Sequence, residues 1–420
     1  MGETQSLIIY NIIWALLFVW YYYRSKHFGI GGFLLLLYFS SGLTSIFFHQ
    51  AYNQVAKVNF KVELGVLLYL QACVFICIYP FLKFSSSLST ISISEKYNHT
   101  SIQNFLKLSS PIILFLFLEL LYGASQTDPA ALAEVYDKYY NKSQEADGVY
   151  KLTWIGGKCK MFVDACSYIW PIFLFECLHS KTKLHNLAYI PLLAIACLIL
   201  TSYVSASRTS VIKVIMYVFI VFYFYKNSIN SIILKKIKRI SIVSVIILIL
   251  ILILITISRY SVMDTDITII DWSFLYTGEG VLRFCENIWD LNRNSNGDTC
   301  FSFFKELLGF DSFMDNDLRR EYYEGYFNIP VHIFYTFIGD FYQDFGRYFT
   351  PIVCLLFSFI SYHILRSVSR TQTISLIGIL CLSLMIFIVA FGFMYYVFKV
   401  GITQLHLIIN IIVLLFITKK

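Results

Sequence analysis

Residues 226–258 read KNSINSIILKKIKRISIVSVIILILILILITIS: five cations and no acid over 226–239, then a near-continuous apolar run over 241–258. A run of that length matches the roughly 20 residues a helix needs to cross the ~30 Å hydrocarbon core of a bilayer. The basic segment before it is the kind of loop that stays on the cytoplasmic side. A helix with apolar residues all round has lipid as its solvent, so this stretch sets the class of the whole chain.

Working outward, comparable apolar runs lie at 7–23, 30–48, 63–84, 110–124, 159–179, 187–204, 209–225, 348–365, 373–397 and 401–418. With 241–258 they predict an all-α, polytopic integral membrane protein of about 11 transmembrane helices, within a range of 10–12. Composition agrees: 58% hydrophobic and 14% charged residues, with 39 Phe and 31 Tyr in 420 positions, against roughly 45–50% and 25% in a soluble domain. No repeat of 20–50 residues and no low-complexity linker interrupts the pattern.

Counting outward from the basic segment puts Arg24 and Lys26, Lys181 and Lys183, Arg366 and Arg370, and Lys419 and Lys420 on the cytoplasmic side as well. The net charge of +7 is therefore topological rather than a nucleic-acid-binding surface. The same count places the N-terminus and the segments 125–158 and 259–329 outside. MGETQS matches a loose myristoylation pattern, but the first span follows at once and already anchors the chain. No basic region precedes Leu7, which speaks against a cleaved signal peptide.

Segment 259–329 carries 6 Lys/Arg against 13 Asp/Glu and is acidic where the rest of the chain is basic. The predicted organisation is a membrane domain over 1–258 with spans 1–8, an outer loop with an interfacial helix over 259–347, and the last three spans over 348–420. Val281–Leu291 and Phe301–Leu308 have helix-like apolar spacing, which makes the loop a helical cap. Ten cysteines lie mostly within apolar stretches. Cys285 and Cys300 share the loop, where an oxidising compartment would permit a disulfide.

Two constellations carry candidate chemistry. Ser205-Ala206-Ser207-Arg208-Thr209-Ser210 forms a tight turn that brings Arg208 to the outer interface. There it either snorkels to lipid phosphate or, helped by Ser207 and the following helix N-terminus, clamps a phosphate or carboxylate. Asn328 to Gly346 is too polar for a comfortable span. Pro330 can open a helix, on which Thr336, Asp340 and Asp344 recur every four residues and share a face. Carboxylates at that depth mark a functional site unless an ion pair such as Asp344 with Arg347 explains them.

Arg259, Arg283, Arg293, Arg319 and Arg320 are the loop's arginines, and Arg283 can alternatively pair with Glu279 or Glu286. Asp264-Thr-Asp266 and Asp315-Asn-Asp317 have the look of a metal or sugar-phosphate site, which arises easily by chance in so acidic a loop. Glu119, Asp164 and Glu176 lie in or near spans, where a transporter would use them. Gln404 and His406 suit helix–helix hydrogen bonds. No nucleotide-binding, zinc-protease, serine-hydrolase or dinucleotide motif is present, so neither metal nor cofactor is expected.

With many spans, a Ser-x-Ser-Arg turn, one dominant outer loop late in the chain, and Asp344-Phe345-Gly346 leading into a span, the sequence resembles the O-antigen polymerase (Wzy-type) family. Arg-Tyr-Phe-Thr-Pro follows Gly346 where relatives often carry a further glycine. The resemblance implies a glycosyltransferase of lipopolysaccharide and related surface-polysaccharide biosynthesis. Such an enzyme sits in the bacterial inner membrane with its active site facing the periplasm. It joins oligosaccharide repeat units carried on undecaprenyl pyrophosphate, uses no cofactor, and is partnered by the bilayer and a chain-length regulator rather than by nucleic acid.

Carried onto this chain, the expected pyrophosphate-binding residues are Arg208, Arg283, Ser207 and Arg259. The expected catalytic residues are Asp340, Asp344 and His332, and Tyr323, Tyr326 and Tyr335, among the aromatics around Tyr322 and Phe327, would stack on sugars. An O-antigen ligase shares this layout; the acidic loop and the absence of a strongly basic outer loop favour the polymerase. A lipid-linked oligosaccharide flippase is the alternative of a different class, and its short loops and charges along several spans fit less well.

Overall fold

Where apolar runs of bilayer length end at cations or turn residues, helices begin and end in the computed structural model. It describes residues 2–55, 61–88, 90–94, 97–127, 150–179, 184–205, 207–239, 253, 269–314, 316–330 and 334–418. The chain is predominantly helical. In order come α1 Glu3–Ser25, α2 Ile30–Val55, α3 Leu64–Lys83, α4 Ser85–Leu88, β1 Ser92–Ile93 and α5 His99–Gln126. Then follow α6 Trp154–Ala165, α7 Ile169–Leu178, α8 Tyr189–Val204, α9 Arg208–Tyr225, α10 Ile269–Arg283 and α11 Ser302–Leu307. The last elements are α12 Asn316–Phe327, α13 Thr336–Thr371, β2 Thr373–Ile374, α14 Leu376–Phe391 and α15 Gly401–Thr418.

Among the described residues, eight helices are long and apolar enough to cross a membrane, or nine if the bent pair α6–α7 forms one span. The predicted span 241–258 lies outside the described residues. The other ten each overlap a helix, with three differences. The 159–179 run is broken by a 72° bend between α6 and α7. The 373–397 run stops as a helix at Phe391, after 16 residues. The 348–365 span is the second part of α13, which breaks at Gly346, where φ is +70°. Hydropathy sums composition along the chain and is blind to such backbone breaks.

Two compact units divide the chain. The first comprises residues 1–91, 266–372 and 384–405. In it α1, α2 and α3 pack on one another, α13 lies against α3, and α10 against α2. Trp14 stacks on Tyr38 at 5.4 Å, and the Tyr38 hydroxyl donates to the Val389 carbonyl at 2.8 Å. At the α2–α10 crossing a Cβ on Gly278 would come within 2.6 Å of the Ser45 backbone nitrogen, so only glycine permits this approach.

The second unit comprises residues 92–265, 373–383 and 406–420. Here α5 packs on α6 and α8, α9 on α7 and α8, and β1 pairs in parallel with β2. Asn98 caps α5 by accepting from the backbone of Thr100 and Ser101, satisfying orphan donors at its N-terminus. The α6–α7 break is tied by Asn410, whose Oδ1 accepts from the Tyr168 and Ile169 N–H groups and whose amide donates to the Ala165 carbonyl. Backbone groups freed by a broken helix at membrane depth need such a partner.

Large apolar side chains face outward along these helices, among them Leu16, Leu118, Phe359 and Phe416. This is the pattern of helices whose outer solvent is lipid.

Candidate functional site

The site grows from the start of α13. Thr336 takes a φ of +69°, rare for a residue with a branched side chain. It is held there because its N–H donates to Met394 and that of Phe337 to Gly392. The close approach requires Gly392, where a Cβ would lie 2.5 Å from the Phe337 ring. The chain after α14 thus turns back on the first turn of α13, and residues 392–400 form one wall of the site rather than the end of a span.

As the four-residue spacing requires, Thr336, Asp340 and Asp344 share a face, and all three are buried. Their partners differ. Asp340 Oδ2 accepts the Tyr396 N–H at 2.6 Å. Asp344 accepts the Ser295 hydroxyl and the N–H groups of Thr299 at 2.9 Å and Cys300 at 2.7 Å. Arg347 meanwhile lies over the Trp289 ring at 4.0 Å, and no ion pair with Asp344 forms. Asp344 therefore folds the loop, while Asp340 holds residues 392–400.

Around Asp344 the loop is a polar core. Asp298 accepts from Ser312, Tyr323 and Lys305 at 2.6–2.8 Å, and Arg319 donates to the Thr299 hydroxyl at 2.8 Å. Gln404 reaches across from α15, donating to the Thr299 and Phe398 carbonyls and accepting from the Phe303 N–H. Gly346 ends this first part of α13 in a left-handed conformation where a Cβ would meet the Asn294 side chain at 3.0 Å.

Asp340 shares the surroundings of Tyr395 with two cations. Burial pushes the Tyr395 phenol up, and Arg320 and Asp340 are near enough to act on it in opposite directions. Lys399 sits over the Tyr395 ring at 4.4 Å, and Phe334 stacks on that ring at 5.6 Å. Tyr335, also buried, has a phenol pushed up by burial, with Arg283 pulling it back and Glu279, Asp340 and Glu324 adding to the rise. These residues share one electrostatic neighbourhood.

Arg283 bonds Glu279 at 3.3 Å and Glu286 at 2.6 Å. This is the pairing the sequence left open, with both acids engaged. Burial pushes Glu279 up to about 7 despite the guanidinium beside it.

Of the three tyrosines expected to stack on sugars, Tyr323 and Tyr335 are buried. Tyr323 stacks on Phe327 at 5.1 Å and donates to Asp298, and Tyr335 donates to the Pro330 carbonyl. Tyr326 is half-buried and stacks on exposed Tyr322 at 5.8 Å, so this pair is the one with accessible ring surface. Cys285 and Cys300 are free thiols. His332, Arg259 and the acids at 264, 266 and 315 lie outside the described residues. Among the described residues no group of three or more His, Cys, Asp or Glu side chains is arranged to hold a metal.

In the second unit, Arg208 is buried at the first position of α9, and the Ser207 hydroxyl bonds that of Ser210 at 2.8 Å. A buried guanidinium is not a snorkelling one. Glu176 is fully enclosed and accepts from Tyr97 and Tyr225. Glu119 accepts the Thr153 N–H at 2.5 Å.

Sequence reading missed Lys399, Tyr395 and Tyr396, because they fall at the edge of apolar runs counted as spans. The signal that could have found them is Gly392 followed by Tyr-Tyr and a lone cation at Lys399, an interruption few spans tolerate. No family model, no curated protein and no solved structure matches this chain.

Proposed function

We propose that the chain is a membrane glycosyltransferase of the O-antigen polymerase kind, joining oligosaccharide repeat units carried on undecaprenyl pyrophosphate at the outer face of the bacterial inner membrane. The observation that carries this reading is Asp340. It is buried and accepts the Tyr396 N–H, Lys399 lies over the neighbouring Tyr395 ring, and Arg320 and Asp340 act on that phenol in opposite directions. A carboxylate and two cations grouped around one phenol at the loop end of the spans suit a reaction that moves a proton and releases a diphosphate.

In that reaction the acceptor hydroxyl oxygen attacks the anomeric carbon of the donor sugar and the carbon–oxygen bond to the pyrophosphate breaks. The leaving lipid pyrophosphate keeps the electron pair, and the hydroxyl proton passes to a base. Arg320 and Lys399 would stabilise the charge that grows on the pyrophosphate, an effect larger in the transition state than in the ground state. Asp340 would accept or orient the hydroxyl proton. Tyr322 and Tyr326 offer the ring surface a sugar face needs. Asp344 and Arg283 hold the loop and α10, since their bonding capacity is already engaged.

The test is complementation of a polymerase-null strain making the matching repeat unit, with surface polysaccharide displayed on a gel. Wild type restores a ladder. Asp340→Asn, Arg320→Gln and Lys399→Gln, checked for membrane expression, collapse it to a single repeat. Long lipid-linked chains that never reach lipid A in a strain lacking the protein would identify a ligase instead. Repeat units stranded on the cytoplasmic face would identify a flippase.

A further inference from the structure

Far along the chain from these residues, the first unit contains a groove built from the last turns of α1 and α3 and the start of α4. It is a cavity of about 240 Å³ lined by Trp20, Tyr21, Arg24, Tyr79, Lys83 and Ser86, together with Ser25 and Leu82. No acid lines it. Arg24 lies over the Trp20 ring at 5.4 Å, and Lys83 donates to the Tyr362 hydroxyl at 3.2 Å. One and two turns beyond Tyr362 on the same face of α13 stand the exposed Arg366 and Arg370.

Tyr21 is the second observation. It is buried, yet its hydroxyl makes no hydrogen bond within the chain. A buried phenol without a partner is destabilising, and an acceptor supplied from outside would offset that. Snorkelling cations at a span end account for Arg24 or Lys83 taken singly. They account neither for a cavity between the two nor for an unpaired phenol in its wall.

Trp20 and Tyr79 at the groove's edge are large and exposed, and α1 continues away from them with exposed Leu16 and Ile12. An occupant with an anionic head and apolar tails meets both halves of this surface. We propose that the groove is a binding site for an anionic phospholipid of the leaflet that the Lys/Arg distribution assigns to the cytoplasm. Its phosphodiester lies between Arg24 and Lys83 and accepts from Tyr21, and an acyl chain lies along Trp20 and Tyr79. Such a site is independent of the glycosyltransferase reading.

Native mass spectrometry of the full chain, released from detergent with phosphatidylglycerol or diacylglycerol added, tests the proposal. One phosphatidylglycerol per chain is retained in preference to diacylglycerol. Tyr21→Phe and the Arg24→Gln/Lys83→Gln double variant each lower that retention, the latter by about fivefold or more. Circular dichroism of each variant establishes that it is folded, and Tyr21→Phe keeps the test open if the double variant is not. Equal retention of the two lipids, or retention unchanged in folded variants, overturns the proposal. So does stabilisation by inorganic phosphate as large as that by phosphatidylglycerol and lost in the double variant, which would make the groove a site for free anions.

Discussion

The carboxylate of Asp344 accepts the Thr299 backbone N–H at 2.9 Å across 45 residues of sequence. Four residues earlier on the same helix face, Asp340 makes a different attachment, to residues 392–400. Two carboxylates that look equivalent in the sequence thus do different work, and variants should separate them.

Asp344→Ala leaves the N–H groups of Thr299 and Cys300 without their acceptor in a buried setting, while the Ser295 hydroxyl keeps the Gln343 carbonyl. Each such group costs about 1–3 kcal/mol, so the loop should loosen by several kcal/mol. Limited proteolysis of the detergent-solubilised protein should reveal new cleavage between residues 290 and 315. Wild-type resistance in the variant would mean that the loop is held by other contacts.

Asp340→Asn keeps one oxygen to accept from Tyr396 and removes the negative charge. We expect a melting temperature close to wild type and polymer formation reduced about 10²–10⁴-fold, the range for loss of a positioned acid–base group. Arg320→Gln and Lys399→Gln should lower turnover without new proteolytic sites, whereas Arg283→Gln should lower stability, because it strands the buried Glu279. Full activity in a folded Asp340→Asn protein would remove Asp340 from the reaction.

Glu279 gives stability a pH dependence of known sign. Its carboxyl titrates at about 7 in the folded protein against 4.5 for an ordinary glutamate. The folded state therefore holds a proton that the unfolded state releases, and this contribution is fully present below about 4.5 and lost as pH rises through 7. Melting temperature should fall between pH 5 and 8 in the wild type, and Glu279→Gln, permanently neutral, should flatten that decline. Parallel curves for the two proteins would show that another group is responsible.

The crossing of α2 and α10 depends on Gly278, where any side chain meets the Ser45 backbone. Gly278→Val should cost about 1–3 kcal/mol through forced separation of the helices, whereas the same change at Gly157, which faces open space, should cost far less. Thermal unfolding of the two variants side by side measures the difference.

Much of the architecture was legible before any coordinates. The apolar runs at 7–23, 30–48, 63–84 and 401–418 each coincide with a membrane-length helix, because bilayer burial acts on every residue of a run and leaves a local, additive trace in composition. The four-residue spacing of Thr336, Asp340 and Asp344 correctly put them on one face. Glycine at 346 marks a conformational break because residues with a Cβ rarely adopt its φ.

What each polar group bonds to was decided only by the tertiary structure. Asp340 meets Tyr396 across 56 residues and Gln404 meets Thr299 across 105, separations that no periodicity encodes. The apolar run ending at 397 contains both the end of a helix and a turn packed on α13, and hydropathy assigns them the same value. Burying a polar group is tolerated only where a partner waits. The sequence by itself therefore determined which segments leave water for lipid, and the packing of distant segments decided which carboxylate, cation and phenol face one another.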